Sequence, residues 1–252
     1  MFNLKSKKAS IWDKKAKKYN RFSNDKDSFQ SQILEKIAQR GISFKDKTVL
    51  DIGCGTGVYT LHIAKDALHV EALDFSQEML DILKIDAQNE GLVEKFTFTC
   101  STWGDFKTDK RFDIIFSSMS PALQNSDDFA KMNTKAKEYC VYLWWGGKRK
   151  STLLDPIFQA HGQKLKVPSG SEVIRKWLDK QSIKYISEYI EESRLHVKPY
   201  DEALESVLWH FEINDVVPNK ALVQSVLQPM QDENGNVSFQ TDIGVELISW
   251  KK

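Results

Sequence analysis

The chain has 252 residues, 41% of them hydrophobic and 28% charged. That is enough apolar content for an ordinary buried core and argues against a disordered chain. Its 36 Lys and Arg against 35 Asp and Glu leave a formal net charge of +1, which argues against whole-chain attraction to nucleic acid or anionic lipid.

Residues 1–27 are rich in lysine, with Lys5, Lys7, Lys8, Lys14, Lys15, Lys17 and Lys18 ahead of Arg21. Among them Trp12, Ala16 and Tyr19 recur at i, i+4 and i+7. One apolar stripe among lysines predicts a short amphipathic helix lying on other structure, either as a solvated charged face or as a lid. A second helix is expected over 28–40, with Phe29, Ile33, Leu34 and Ile37 on one face and Gly41 as its stop. Strand and helix signals then alternate. Strands are expected over 48–52, 69–74, 96–100, 112–117 and 140–145, the last ended by Gly146-Gly147. Helices are expected over 58–65 and from the cap Ser76 to Glu90, closed by Gly91.

After Lys150 the pattern changes. A helix is expected over 153–160, and Ser169 with Glu172 has the spacing of a capping box before Val173, Ile174, Trp177 and Leu178. A strand over 185–190 and helices over 201–211 and 219–227 follow. Over 237–250, Phe239, Thr241, Ile243, Val245 and Leu247 alternate at period two, which predicts a final strand at or near a sheet edge. The whole reads as an α/β fold, a doubly wound and mostly parallel sheet with helices on both faces. Ligands of such sheets sit outside the carboxyl ends of the strands, where the strand order reverses.

The strand over 48–52 runs into Asp51-Ile52-Gly53-Cys54-Gly55-Thr56-Gly57. Glycines there let the backbone turn sharply and approach a ligand that a Cβ would block. The dinucleotide fingerprint wants its third glycine where Val58 stands, and the phosphate loop wants a Gly-Lys-Ser/Thr that does not follow. A carboxylate at Asp51 would repel a pyrophosphate but suits a ligand that carries an ammonium.

The run from Val49 to Gly57 resembles the first motif of class I S-adenosylmethionine-dependent methyltransferases. The resemblance covers roughly residues 45–150 and implies a Rossmann-like, seven-stranded sheet with the last strand antiparallel. The helical patterns before residue 45 and after residue 150 add N-terminal helices and a C-terminal helical insertion to that sheet. The resemblance implies S-adenosylmethionine as cofactor, with S-adenosylhomocysteine as product. Gly53, Cys54, Gly55 and Gly57 would hold the amino-acid end together with Asp51. Asp74 falls on the family's ribose-binding position, and Phe75 beside the adenine. The family's adenine-binding acid falls near Ser101, where this chain departs from the pattern. Ser101, Thr102 and Trp103 remain candidates there, with Asp105 as a substitute acid. The loop after the fourth strand faces the transferable methyl in the family, which makes Ser117 a cofactor candidate. Ser118 and Ser120 are candidates for the acceptor side. Ser120-Pro121 is followed by Ala122-Leu123, without the second proline and aromatic of amino methyltransferases that act on adenine or glutamine. Trp145 and Arg149 can line a pocket for a flat or anionic acceptor, and Tyr19 can close over the donor.

These readings predict a single domain over 1–252: a helical lid over 1–40, a cofactor-binding core over 45–150, and a segment over 151–252 that completes the sheet and carries a substrate-side insertion. The expected reaction is methyl transfer to a small molecule with an oxygen or nitrogen nucleophile. In-line displacement of this kind relies mainly on positioning and water exclusion. An RNA or protein acceptor, or binding without catalysis, are the alternatives. No residue can be named as a general base, since His161 and His196 have no distinctive spacing. The three cysteines, Cys54, Cys100 and Cys140, give neither a disulfide framework nor a metal motif. No signal peptide or spanning run is legible, so the expected place of action is the cytoplasm, with no membrane or nucleic-acid partner.

Overall fold

A computed structural model describes residues 4–166 and 170–252, with side chains over 9–166 and 170–252. The predicted cap Ser169 and the side chains of Lys5, Lys7 and Lys8 lie outside the described residues. The elements in chain order are α1 (Leu4–Ala16), α2 (Phe29–Gln39), β1 (Thr48–Ile52), α3 (Thr60–Asp66), β2 (His69–Asp74), α4 (Gln77–Asn89), β3 (Phe96–Cys100), β4 (Phe112–Ser118) and α5 (Ser126–Lys135). They continue as β5 (Ala136–Ser151), α6 (Leu154–Ala160), α7 (Glu172–Lys180), β6 (Tyr185–Pro199), α8 (Tyr200–Ile213), α9 (Lys220–Leu227) and β7 (Asn236–Lys251).

The chain divides into two compact units. The first comprises Met1–Trp144, Glu172–Glu188 and Leu247–Lys252, and the second Trp145–Ser171 and Tyr189–Glu246. The seven strands follow the order β3-β2-β1-β4-β5-β7-β6, with the last strand antiparallel. In the first unit β1 pairs in parallel with β2 and β4, β2 with β3, and β4 with β5. From β1 the chain adds β2 and β3 on one side, then crosses back to place β4 on the other. The strand order therefore reverses between β1 and β4. Register sets the carboxyl ends together: Ile52 lies beside Leu73, and Asp74 beside Cys100. The strands that would flank a ligand thus end along one edge of the sheet.

Local chemistry explains the helix ends. The side chain of Ser28 caps α2 by accepting from Ser31 N, and Ser76 caps α4 by accepting from Met79 N. Ile33 and Ile37 of α2 are fully buried. On α4, Leu80, Leu83 and Ala87 join Cys54, Leu61 and Ala72 in one core cluster. The second unit has its own core, in which Leu154, Ile157 and Phe158 of α6 meet Val207 and Phe211 of α8 and Val223 and Leu227 of α9.

Four expectations need correction. The stripe through Trp12, Ala16 and Tyr19 is not one helix, because α1 ends at Ala16 and Tyr19 donates its N–H back to the Ala16 carbonyl at 3.0 Å. Among the described residues of this segment Ile11 and Ala16 are buried, while Trp12 and Tyr19 are half-buried and meet edge-on at 5.8 Å. Gly146-Gly147 does not end the fifth strand: β5 continues to Ser151, and Gly147 takes a φ of +88° within it, as a bulge glycine does. The sixth strand continues past Ile190 to Pro199. Helix α5 was not foreseen, although Asn125 caps it by accepting from Asp127 N and Asp128 N.

Candidate active site

The glycine loop leaves β1 at the reversal point. The N–H groups of Gly53 and Cys54 both donate to the Leu73 carbonyl, at 2.7 and 3.1 Å, which ties the loop to the end of β2. Gly53, Gly55 and Gly57 all have positive φ. Two of them are required for different reasons. A Cβ on Gly53 would fall on the Ser120 hydroxyl, so this glycine lets the loop after β4 lie against the backbone. A Cβ on Gly55, at φ +55°, would meet no atom within 4 Å. Gly55 therefore presents bare backbone to open space.

Asp74, at the end of β2, is 6% exposed. One carboxylate oxygen accepts from Gly55 N at 2.9 Å and the other from Ser76 N at 2.9 Å. Each oxygen keeps acceptor capacity beyond those bonds. Burial raises the Asp74 carboxyl above its ordinary value, the N–H groups of Ser76, Gly55 and Phe75 oppose the rise, and Asp13 adds to it. Asp51 lies beneath the loop, 2% exposed, and accepts from Thr60 Oγ1 at 2.7 Å. Burial pushes its carboxyl up to about 7 against that hydrogen bond, and the charge of Asp74 assists. Cys54 is buried, and burial, then the charges of Asp74 and Asp51, raise its thiol well above its ordinary value. Asp13 joins the group from α1, accepting from Ser76 Oγ at 2.5 Å.

The segment after α1 is fastened to this region. Thr56 Oγ1 donates to the Asn20 carbonyl at 2.5 Å, Arg21 pairs with Asp86, and Phe22 meets His62 at a tilt with ring centroids 4.7 Å apart. A hollow lined by Asn20, Arg21, Ser23, Ser28, Val58 and His62 adjoins the end of the glycine loop. Asp13 and Asn20 were not singled out from sequence. Each acts through a contact remote in the chain, and no local pattern marks it.

The other expected site residues fall in three places. Phe75, Ser101 and Thr102 are half-buried, at and just beyond the ends of β2 and β3. Ser101 N donates to the Asp74 carbonyl at 2.9 Å, and Thr102 Oγ1 donates to Asp105 at 2.7 Å. Trp103 is part of the core. It is 2% exposed, stacks on Phe106, donates Nε1–H to the Asp128 carbonyl at 3.2 Å and lies under Lys131 Nζ, 4.1 Å from the ring centroid. The Ser117 hydroxyl is buried and donates to the Ile52 carbonyl at 2.9 Å, joining β4 to β1. Beyond it Ser118 is half-buried and Ser120 is buried, on either side of Met119, whose φ is +47°. Strain of this kind at a non-glycine residue persists only where its surroundings hold it, and it concentrates at ligand sites. Trp145 and Arg149 belong to the second unit.

His161 is a structural histidine, its Nδ1–H donating to the Ile157 carbonyl at 2.8 Å and its Nε2 accepting from Asn219 N at 3.1 Å. His196 stacks on Phe239. All three cysteines are free. Among the described residues no group of three or more His, Cys, Asp or Glu is placed to hold a metal ion, and no helix is long and apolar enough to cross a membrane.

The residues of the first unit fit S-adenosylmethionine. Asp74 offers two acceptor oxygens to a pair of hydroxyl donors, directly beside the bare backbone of Gly55. The charge of Asp74 acts on Asp51 and that of Asp13 on Asp74, and a ligand with both an ammonium and a sulfonium supplies the positive charge that such a group lacks.

Residues 49–140 match the methyltransferase-domain family. An uncharacterized protein of Haemophilus influenzae is 36% identical over 130 residues, 50% of this chain and 47% of that one. A ubiquinone biosynthesis O-methyltransferase of Coxiella burnetii is 28% identical over 161 residues, 64% of each chain. In both cases the match spans less than two thirds of the relative's length. Among solved structures, a methyltransferase of Thiobacillus denitrificans in complex with S-adenosylhomocysteine superposes with a TM-score of 0.51 at 13% identity, covering 96% of this chain and 97% of that one. The matched segment holds the glycine loop and Asp74, and the sheet around it has the strand order and the antiparallel last strand of that fold. Residues 49–140 thus resemble the class I S-adenosylmethionine-dependent methyltransferases in sequence, and the sheet around them has the fold of that class.

Proposed function

We propose that the protein transfers a methyl group from S-adenosylmethionine to a small-molecule acceptor with an oxygen or nitrogen nucleophile, acting in the cytoplasm. The observation that carries the reading is the Asp74 carboxylate held open beside Gly55. The cofactor, when bound, supplies an activated methyl group. Asp74 would take the two ribose hydroxyls. Gly53, Gly55 and Gly57 would let the backbone approach the amino-acid end, and Asp51 would receive its ammonium. Phe75, Ser101 and Thr102 would bound the adenine, which Trp103 supports from within the core. Ser118 and Ser120 would face the acceptor. With alignment as the main contribution, well-oriented groups lower such barriers by roughly 7–11 kcal/mol. A closed site also keeps water from the nucleophile. Tyr19 and the segment fastened by Asn20 and Arg21 are suited to that closure. A small acceptor is supported by the balanced charge of the chain and by the relative from Coxiella burnetii, named for ubiquinone biosynthesis.

Calorimetry with S-adenosylhomocysteine tests the site, and isotopic methyl transfer into a cell extract reports the size of the acceptor. Asp74→Asn keeps one acceptor oxygen and loses the charge. It should weaken cofactor affinity about tenfold to a hundredfold, the worth of one charge-assisted hydrogen bond. Unchanged affinity in this variant would refute the assignment. Label appearing only in macromolecules would refute the small acceptor.

A further inference from the structure

Within the second unit, Arg149 is a largely buried cation with no counter-ion in contact among the described residues. Its Nε is closed to solvent and has no hydrogen-bond partner. Its guanidinium carbon lies 5.4 Å from the centroid of the Trp145 ring. One terminal nitrogen donates to His210 Nε2 at 2.9 Å. The opposite nitrogen of that ring, Nδ1, contacts the Ser206 carbonyl at 2.7 Å and must carry the proton. Nε2 is then a lone-pair acceptor, so His210 is neutral and fixes the direction of the guanidinium without neutralising it. The carboxylate whose field acts on Arg149 is that of Asp155, and it is committed to Ser151 N at 2.9 Å, in the first turn of α6. Burial holds the guanidinium below its ordinary value, with Asp155 opposing. The neighbouring cation Lys148 differs, being ion-paired with Glu191 at 2.5 Å.

A buried charge is costly unless it is paired, and a buried N–H without an acceptor is rare enough to call for a partner. We propose that Arg149, braced by His210 and stacked on Trp145, is the binding site for a carboxylate-bearing small molecule. The Nε edge of a guanidinium presents two parallel N–H donors, a spacing that matches the two oxygens of one carboxylate. On that edge Nε–H has no acceptor, while Nη2 reaches His210 with one of its two hydrogens and keeps the other. The Trp145 ring would lie along a flat substituent.

The test uses the whole protein, with benzoate as the carboxylate probe and benzamide as its neutral isostere. Benzoate should shift the Arg149 Nε–H resonance and change Trp145 fluorescence, and benzamide should do neither. Arg149→Gln and Arg149→Lys should each weaken benzoate binding tenfold or more, while S-adenosylhomocysteine affinity stays as in the parent. The resonance in the unmodified protein decides the matter even if a variant fails to fold. A benzoate titration that leaves Nε–H unmoved, or a benzamide shift of equal size, would overturn the site. Loss of S-adenosylhomocysteine binding with the benzoate response intact would instead overturn the methyltransferase reading and leave the carboxylate site standing.

Discussion

Asp51→Asn should make the free protein more stable and its cofactor site weaker. The side chain is 2% exposed and its carboxyl sits at about 7 rather than at the ordinary 3.8. The folded state therefore holds a proton that the unfolded state has released throughout that interval. Stability falls as pH rises from about 4 to about 7 and is level beyond. A difference of that size corresponds to about 4 kcal/mol, a ceiling that relaxation around the charge reduces. Asparagine has the same shape and can still accept from Thr60 Oγ1, so the variant removes the charge and little else. Urea unfolding at several pH values between 5 and 8 should show the parent losing stability with rising pH and the variant staying flat by comparison. At pH 8 the variant should be the more stable by a few kcal/mol. Its affinity for S-adenosylhomocysteine should fall tenfold or more, because the ligand's ammonium loses its partner. A variant that is less stable than the parent at pH 8, or that keeps the parent's slope, would refute the reasoning.

Two further substitutions probe the frame around the site. Burial alone would raise Asp113, but the Thr48 hydroxyl and N–H and the Lys137 ammonium outweigh it and hold the carboxyl at about 2. That contribution is complete above pH 3.8 and is lost as pH falls towards 2, so Asp113→Asn should cost about 2 kcal/mol at neutral pH and flatten acid unfolding across that interval. Gly53→Ala combines a φ of +74° with a Cβ that meets the Ser120 hydroxyl. It should cost more than the ~1–2 kcal/mol of a left-handed alanine, and adding Ser120→Ala, which removes the hydroxyl but leaves the Cβ 2.5 Å away, should restore only part of the excess. Full recovery in the double variant, measured by urea unfolding, would show that the backbone is not constrained there.

The glycine loop and Asp74 were legible because their chemistry is local: a strand, a run of glycines, and an acid one strand further on. What the sequence hid depends on partners far along the chain. Trp103 looked as suited to adenine as to the core, and only the arrival of Asp128 and Lys131 from α5 decides for the core. Helix α5 itself was overlooked because it buries only Phe129 and Met132, too few for a clear stripe, although its cap at Asn125 was in plain view. Gly146-Gly147 read as a stop because local propensity cannot report the neighbouring strands that carry β5 through it. Arg149 was expected to lie near an acceptor on grounds of type alone. The neutral state of His210, which leaves that arginine uncompensated, follows from a backbone carbonyl on α8.

The double anchoring of Asp74 bears on how readily this protein could change its donor. The same two oxygens that would take a sugar also fasten the glycine loop at Gly55 and the start of α4 at Ser76. Replacing the acid to admit a nucleotide phosphorylated on its ribose would loosen both anchors in a single mutational step. Acceptor range has no such constraint at this position, so divergence among descendants should accumulate around the acceptor while the donor stays the same.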